Sequence, residues 1–424
     1  MTSEFKGVVF AWLPGELKAV PAGQLSIVEE GLQVVSSSFG YGAKYLERTK
    51  AVPIDAATLS LAAAVPGSQR RCEPSNGLEF FGAVRDAMPD LWGRRVIENI
   101  LKVPPNALAE TRYLMEAGSN RFGALDIRPS LEHEETRGRL VPVADVRYLL
   151  DAADKVQRSE PVPQELEQLF DAGPSMGGAR PKAVVVKDEV QYLAKFPSDG
   201  DRFNIPAVER ATLELARTCG LAVPVTDLMR LPDGRDVMLI ERFDRYRSAD
   251  GFARRHAISA LTALELHESQ SSQASYADIS LKLAGIGAAG RIQRDRTELF
   301  GRMVFNILVS NDDDHLRNHA FVWQPQAKGW TLSPLYDVLP KPQVSHTRYL
   351  HLSVGAEGRL ATLPNALSRA PLFGLTDEQA REIVDRIAGC VREWRVYFEQ
   401  SGVEAKDAEI VSSAMRHPRD VGWP

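Results

Sequence analysis

Runs of apolar residues broken by Gly and Pro dominate the start of the chain. KGVVFAWL from Lys6, LKAV from Leu17 and LQVVSSSF from Leu32 are rich in β-branched and aromatic residues, with a turn at PGE between the first two. This pattern predicts short strands between residues 6 and 50. In FFGAVRDAMPDLWGRRVIENIL, 80–101, the period changes. After a proline break at Pro89, Leu91, Val96, Ile97 and Ile100 recur at helical spacing. LEHEETRGR, 131–139, is polar and predicts a surface connector.

A second β-rich run begins at PKAVVVKDEVQYLAKFP, where KAVVV and EVQYLAKF flank the charged turn Lys187-Asp188-Glu189. A hairpin is the simplest reading. NIPAVERATLELARTCGL then predicts a helix with Asn204 as cap, Pro206 near its first turn and Gly220 just past its end. DVMLIERFDR follows as an apolar strand running into charge. Beyond about residue 252 the pattern is mostly helical, with a β-rich interruption around 320–353 and no internal repeat.

Composition narrows the classes. The chain has 424 residues, 44% hydrophobic and 25% charged, enough for two or three compact globular units. A net charge of −5 offers no basic footprint for direct nucleic-acid binding. Cys72, Cys219 and Cys390 are odd in number, far apart and form no CxxC pair, which disfavours a zinc ribbon or disulfide framework. The N-terminal stretch does not read as a signal peptide, and no apolar run approaches a membrane span. A reducing cytoplasm without membrane attachment is the expected setting.

Several residues could carry chemistry. GPSMGGARPK, 173–182, is a loop whose small residues let backbone N–H groups approach an anion. It fails the P-loop pattern, because Ala179 stands where lysine is needed, and on its own it reads more simply as a turn. Lys195 sits among apolar neighbours in YLAKFP and needs either an anionic partner or a route to solvent. The next helix offers Glu209, with Glu214 as a second candidate. A strand lysine paired to a helix glutamate is how protein kinases hold ATP phosphates.

LFGRMVFNILVSN is an apolar helix that delivers the chain into DDDHLRN. Asn318 follows Asp313 by five positions, the kinase spacing between the catalytic aspartate and a magnesium-binding asparagine. One carboxylate must orient or accept the proton of the attacking hydroxyl, and a hard oxygen donor must hold Mg²⁺. Asp337, in TLSPLYDVLP, would supply a second metal carboxylate. Two alternatives compete: a solvated acidic loop, or a hydrolase metal centre built from Asp312, Asp313, Asp314, His315 and His319. The ordered set Lys195, Glu209, Asp313, Asn318 and Asp337 favours the kinase.

SMGGARPKAVVV, YLAKFP, AVERATLELARTCGL, MLIERFDR, NDDDHLRNHAFV and LSPLYDVLP together resemble the HipA family, the serine/threonine kinase toxins of bacterial type II toxin–antitoxin systems. FFGAVRDAMPDLWGRRVIEN and NRFGALDI extend the resemblance over nearly the whole chain.

The resemblance implies an α+β, two-lobed protein-kinase-like fold. A HipA-type N-terminal domain of short strands and helices would occupy 1–128 and a connector with a helix 129–165. The kinase-like core would occupy 166–424, with a small lobe to 240, a hinge at 241–243 and a mostly helical C-terminal lobe from 244.

The resemblance also implies binding of ATP and Mg²⁺. The ATP contacts would be Gly177, Gly178, Ala179, Arg180, Pro181, Lys182, Lys195, the hinge residues Glu241, Arg242 and Phe243, and His315, Asn318, Tyr336 and Asp337. Asp313 would be catalytic, Asn318 and Asp337 would hold metal, and Glu209 would pair with Lys195. Ser175 would be an autophosphorylation site whose phosphate repels those of ATP. Implied partners are a DNA-binding HipB-type antitoxin that carries the operator contact, and a protein substrate such as an aminoacyl-tRNA synthetase.

Arg180-Pro181 stands in the loop where family members often carry other polar residues, and Val338 follows Asp337 where ordinary protein kinases, but not this family, have Gly. A catalytically silent co-repressor module and a small-molecule phosphotransferase are the alternative functions.

Overall fold

The computed structural model describes residues 2–61, 71–136, 140–163 and 178–424. It has the expected mixed α+β architecture and divides into two compact units. The first comprises 1–198 and 241–266, the second 199–240 and 267–424. This division runs through the expected kinase-like core and does not follow the boundaries expected at 128 and 165.

In the first unit, β1 (Thr2–Trp12), β2 (Ala19–Glu30), β3 (Gln33–Tyr41) and β4 (Leu125–Arg128) form an antiparallel sheet in the order β3-β2-β1-β4. Its strands are longer than the short ones the sequence predicts, because Gly and Pro fall inside them. Gly23 lies within β2, and a Cβ there would come 2.3 Å from the Gly40 carbonyl oxygen and 2.4 Å from the Phe39 ring. Glycine serves close packing at that position. Pro21 sits where the β1–β2 register shifts between Val9 and Phe10, a bulge that tolerates its missing N–H.

Helix Leu91–Leu101 starts after the Pro89 break, with the Asp90 carboxylate accepting from the Gly93 N–H as its cap. Trp92, Val96 and Ile97 are buried, but Leu91 is 61% exposed, so the buried stripe begins at Trp92 and not at Leu91. The described part of the connector, 131–136, is largely exposed. Next, β5 (Val141–Pro142) pairs parallel with β6 (Lys182–Lys187). In turn β6 pairs antiparallel with β7 (Val190–Lys195). The β6–β7 turn places Asp188 and Glu189 at φ +48 and +58, as a two-residue hairpin requires.

In the second unit, helix Ile205–Thr218 is capped by the Asn204 side chain on the Ala207 N–H and ends before Gly220 at φ +81. The hairpin of β8 (Thr226–Arg230) and β9 (Asp236–Glu241) follows. Helix Ile292–Val309 forms the core of this unit. Every residue from Leu299 to Val309 is buried, so the helix is enclosed on all sides. It packs on helices Tyr276–Ile286 and Asp377–Arg392. It ends at Ser310, in the left-handed region at φ +53, and this turn releases the chain into the acidic loop. No described helix is long and apolar enough to cross a membrane.

Candidate functional site

The three consecutive aspartates face different surroundings. Asp314 turns inward, where its Oδ2 accepts from Tyr276 Oη at 2.6 Å, Asn306 Nδ2 at 2.7 Å and His319 Nε2 at 2.9 Å. Burial alone would raise its pKa, but His319 and Tyr276 outweigh it and hold the carboxyl below its ordinary value. The same burial, with Asp314 alongside, raises the Tyr276 phenol. Asp314 therefore anchors the loop from inside.

Asp313 points outward and is 62% exposed. Its carboxylate lies 3.3 Å from Lys341 Nζ, which also sits 3.0 Å from Asp312. Burial would lower the Lys341 pKa, but Asp312 and Asp313 reverse the shift and raise it. The mutual repulsion of three adjacent acids is thus relieved by one buried donor set and one cation. Lys341 is not among the residues that the sequence singles out; its only local signal is its position between Pro340 and Pro342.

The backbone of the loop closes on itself. His315 N–H donates to the Asp313 carbonyl and Asn318 N–H to the His315 carbonyl, both at 2.8 Å. The Asn318 side-chain amide also donates to the Asp313 carbonyl, at 3.0 Å. This leaves Asn318 Oδ1 buried with no hydrogen-bond partner among the described residues. A buried oxygen of this kind suits a hard cation.

Tyr336 Oη donates to the Arg317 carbonyl at 2.7 Å and so ties the LYD segment to the loop. Asp337 is half-buried at φ +58, an uncommon backbone state for a residue other than glycine. Asn318 Oδ1 and the Asp337 carboxylate are both hard oxygen donors, of the kind Mg²⁺ takes in preference to softer metals.

His315 packs edge-on to His351, ring centroids 5.8 Å apart, and its Nδ1 has no partner among the described residues. His351 reaches Ser271 Oγ at 3.1 Å, and that oxygen also accepts from the Leu316 N–H. Burial, then His315, lowers the His351 pKa. The five residues of the hydrolase alternative do not converge. Asp314 and His319 pair inside while Asp312 and Asp313 face Lys341. Among the described residues, no group of three or more His, Cys, Asp and Glu side chains gathers as a metal cage.

The remaining predicted residues lie mostly in the first unit. Gly177 and Ser175 are outside the described residues. Gly178, at φ +101, and Ala179 are exposed, Arg180 is half-buried and Pro181 is buried. Lys182 and Lys195 are direct cross-strand partners in β6–β7, so both project from one face of the hairpin. The Lys182 ammonium is held at 2.5 Å by Asp90, with both side chains 4% exposed, and lies 3.4 Å from the Gly178 carbonyl. Lys182 is thereby anchored at the start of β6, close to Gly178.

In the expected hinge, Glu241 is half-buried. Arg242 is wholly buried, its guanidinium on Asp244 at 2.8 Å and its N–H on the Gln191 carbonyl. Phe243 stacks edge-on against Phe122. The Arg242 side chain is thus committed to a structural ion pair. Glu209 is buried on helix Ile205–Thr218 of the second unit, whereas Lys195 ends β7 in the first. Glu214 is engaged by Arg217 and Thr226.

Comparison with known proteins gives consistent matches. Residues 174–394 match the family model described as the HipA-like C-terminal domain. The chain is 27% identical over 325 residues, 71% of each protein, to one from Sinorhizobium fredii named "Putative kinase Y4mE". It is 26% identical over 200 residues to a Haemophilus influenzae protein named "Putative kinase", covering 42% of this chain and 57% of that one. Among solved structures it resembles Shewanella oneidensis HipA, determined in a complex with HipB and operator DNA. That match has a TM-score of 0.67 at 15% identity and covers 98% of this chain and 96% of the other.

Proposed function

The chain belongs to the HipA family, and from that premise we propose that it is an ATP- and Mg²⁺-dependent protein serine/threonine kinase, the toxin of a type II toxin–antitoxin pair. The acidic loop carries this reading: an outward Asp313 carboxylate and, five residues on, a buried Asn318 oxygen with no hydrogen-bond partner among the described residues. In the proposed mechanism Asp313 orients the substrate hydroxyl and receives its proton. Asn318 and Asp337 hold the metal, which when bound neutralises phosphate charge. Lys195 and the small-residue loop from Gly177 to Lys182 position the phosphates, with Lys182 braced by Asp90. Glu241, Arg242, Phe243, His315 and Tyr336 would be further ATP contacts by the family resemblance, although the Arg242 N–H is already donated to the Gln191 carbonyl. Most of the rate would come from positioning and charge complementarity.

The proposed partner is a HipB-type antitoxin that carries the operator contact, in keeping with the net charge of −5. The proposed substrate is a translation component such as an aminoacyl-tRNA synthetase, with autophosphorylation at Ser175 as a regulatory event in the cytoplasm. Transfer of radiolabel from γ-labelled ATP tests the activity. Wild type should label itself or a lysate protein and Asp313→Asn should not; equal background labelling would remove the kinase reading. Mass spectrometry of lysate proteins after induction identifies the substrate. Absence of any new phosphoprotein would favour a small-molecule acceptor.

A further inference from the structure

We infer that Lys341 is a catalytic cation of this site, one that holds Asp313 before reaction and donates to the transferred phosphoryl group beside it. The inference rests on the kinase reading of Asp313. Lys341 Nζ bridges Asp312 Oδ1 at 3.0 Å and Asp313 Oδ2 at 3.3 Å. An ammonium has three N–H donors, so two carboxylates leave one uncommitted among the described residues. At 42% exposure the group is reachable from solvent, on the side of the loop that carries the outward Asp313.

The segment bearing Lys341 is fastened to the loop at several points. Its own N–H donates to the Ser310 carbonyl at 3.2 Å. Gln343 Nε2 donates to Asp312 at 2.5 Å, and buried Arg348 donates to Ser310 Oγ and to the Ser413 carbonyl. Pro340 and Pro342 fix φ on either side. The ammonium is therefore delivered by a braced backbone, not by a free surface stem.

The chemistry requires a cation here. In the transfer step the substrate hydroxyl oxygen bonds to the γ-phosphorus, and the bond from that phosphorus to the β–γ bridging oxygen breaks. ADP leaves with the electron pair, and the hydroxyl proton passes to Asp313 and then to solvent. The transferring group carries negative charge on its three non-bridging oxygens and approaches the outward Asp313 carboxylate, with half-buried Asp312 next to it. Lys341 offsets that repulsion and donates to one of those oxygens without changing its own protonation. A preorganised donor aimed at developing charge lowers the barrier more than it strengthens ground-state binding.

The test uses the full-length protein and two readouts. In steady-state kinetics, Lys341→Met should lower kcat by about 10–100-fold with little change in KM for ATP or in Tm, and Lys341→Arg should recover part of the loss. In the second, lysines are acylated with an N-hydroxysuccinimide ester and mapped by mass spectrometry, with and without Mg²⁺ and a non-hydrolysable ATP analogue. The nucleotide should shield Lys341, and Asp313→Asn should speed its acylation when no nucleotide is present. An active wild type with an unchanged Lys341→Met kcat, or with no nucleotide shielding of Lys341, overturns the inference alone. A wild type that transfers no phosphate yet shows shielding overturns the kinase reading and upholds the phosphate contact of Lys341. Neither transfer nor shielding overturns both.

Discussion

The side-chain amide of Asn318 donates to the backbone carbonyl of Asp313, so the five-residue step between them is closed by a 3.0 Å hydrogen bond. One half of Asn318 thus sets the loop and the other half, Oδ1, is left for a ligand. Asn318→Ala should raise the Mg²⁺ concentration needed for half-maximal phosphotransfer by at least about 10–100-fold. Asn318→Asp, which restores an oxygen, should recover part of the effect. Metal titration of the initial rate checks this, and an unchanged Mg²⁺ requirement in Asn318→Ala would remove Asn318 from the metal site.

Asp313 should matter for rate and not for folding. Its partner Lys341 is half-exposed and the pair lies at the surface, where ion pairs contribute about 0–1 kcal/mol. Asp313→Asn should therefore lower kcat by roughly 10²–10⁴-fold and leave Tm almost unchanged. Parallel kinetic and calorimetric measurements separate the two effects; a large fall in Tm would show that Asp313 is structural.

Asp314 should behave in the opposite way. Its carboxylate is buried with three donors converging on Oδ2. Asp314→Ala leaves Tyr276, Asn306 and His319 without their acceptor and should cost about 3–5 kcal/mol. Urea unfolding measures it, and a cost below about 1 kcal/mol would contradict the anchoring role.

Asp90 serves two groups at once, capping helix Leu91–Leu101 and neutralising buried Lys182. Asp90→Ala should cost about 3–5 kcal/mol for the orphaned ammonium and about 1 kcal/mol for the lost cap. Combining it with Lys182→Met should return most of the first part. A double-mutant cycle with no coupling between the two positions would contradict the pairing.

His256 supplies a pH test. It is buried, with Nε2 2.9 Å from the Ile54 carbonyl oxygen, and burial pushes its pKa down to about 4. An unfolded histidine titrates near pH 6.5, so between about pH 6.5 and 4 the unfolded chain binds more protons than the native one. The stability contribution is complete above that window and is lost as pH falls through it, by about 3 kcal/mol in total. Chemical unfolding from pH 7 to 4 should show this slope, and His256→Gln should flatten it. Identical slopes in the two proteins would place the sensitivity elsewhere.

Local order was largely legible in the chain. The Asn204 cap, the Gly220 stop and the turn at Asp188-Glu189 were readable because each depends on neighbours within a few residues. The spacing from Asp313 to Asn318 was equally readable, since a loop closed by its own backbone keeps its residue count. The lengths of β1 and β2 were not. Whether Gly23 breaks a strand or makes room depends on Phe39 and Gly40 in β3.

The sequence by itself determined the family, the mixed α+β architecture and the set of acids, amides and lysines from which a site could be built. It could not say which of three adjacent aspartates turns inward. That was decided by Tyr276, Asn306 and His319, brought together around Asp314 from separate elements. Nor could it show that Lys341 would balance Asp312 and Asp313, or that Arg242 and Lys182 would be claimed by Asp244 and Asp90. A charged group's role depends on which opposite charge and how much solvent it meets, and for these residues both are set by chain segments distant in sequence or by burial.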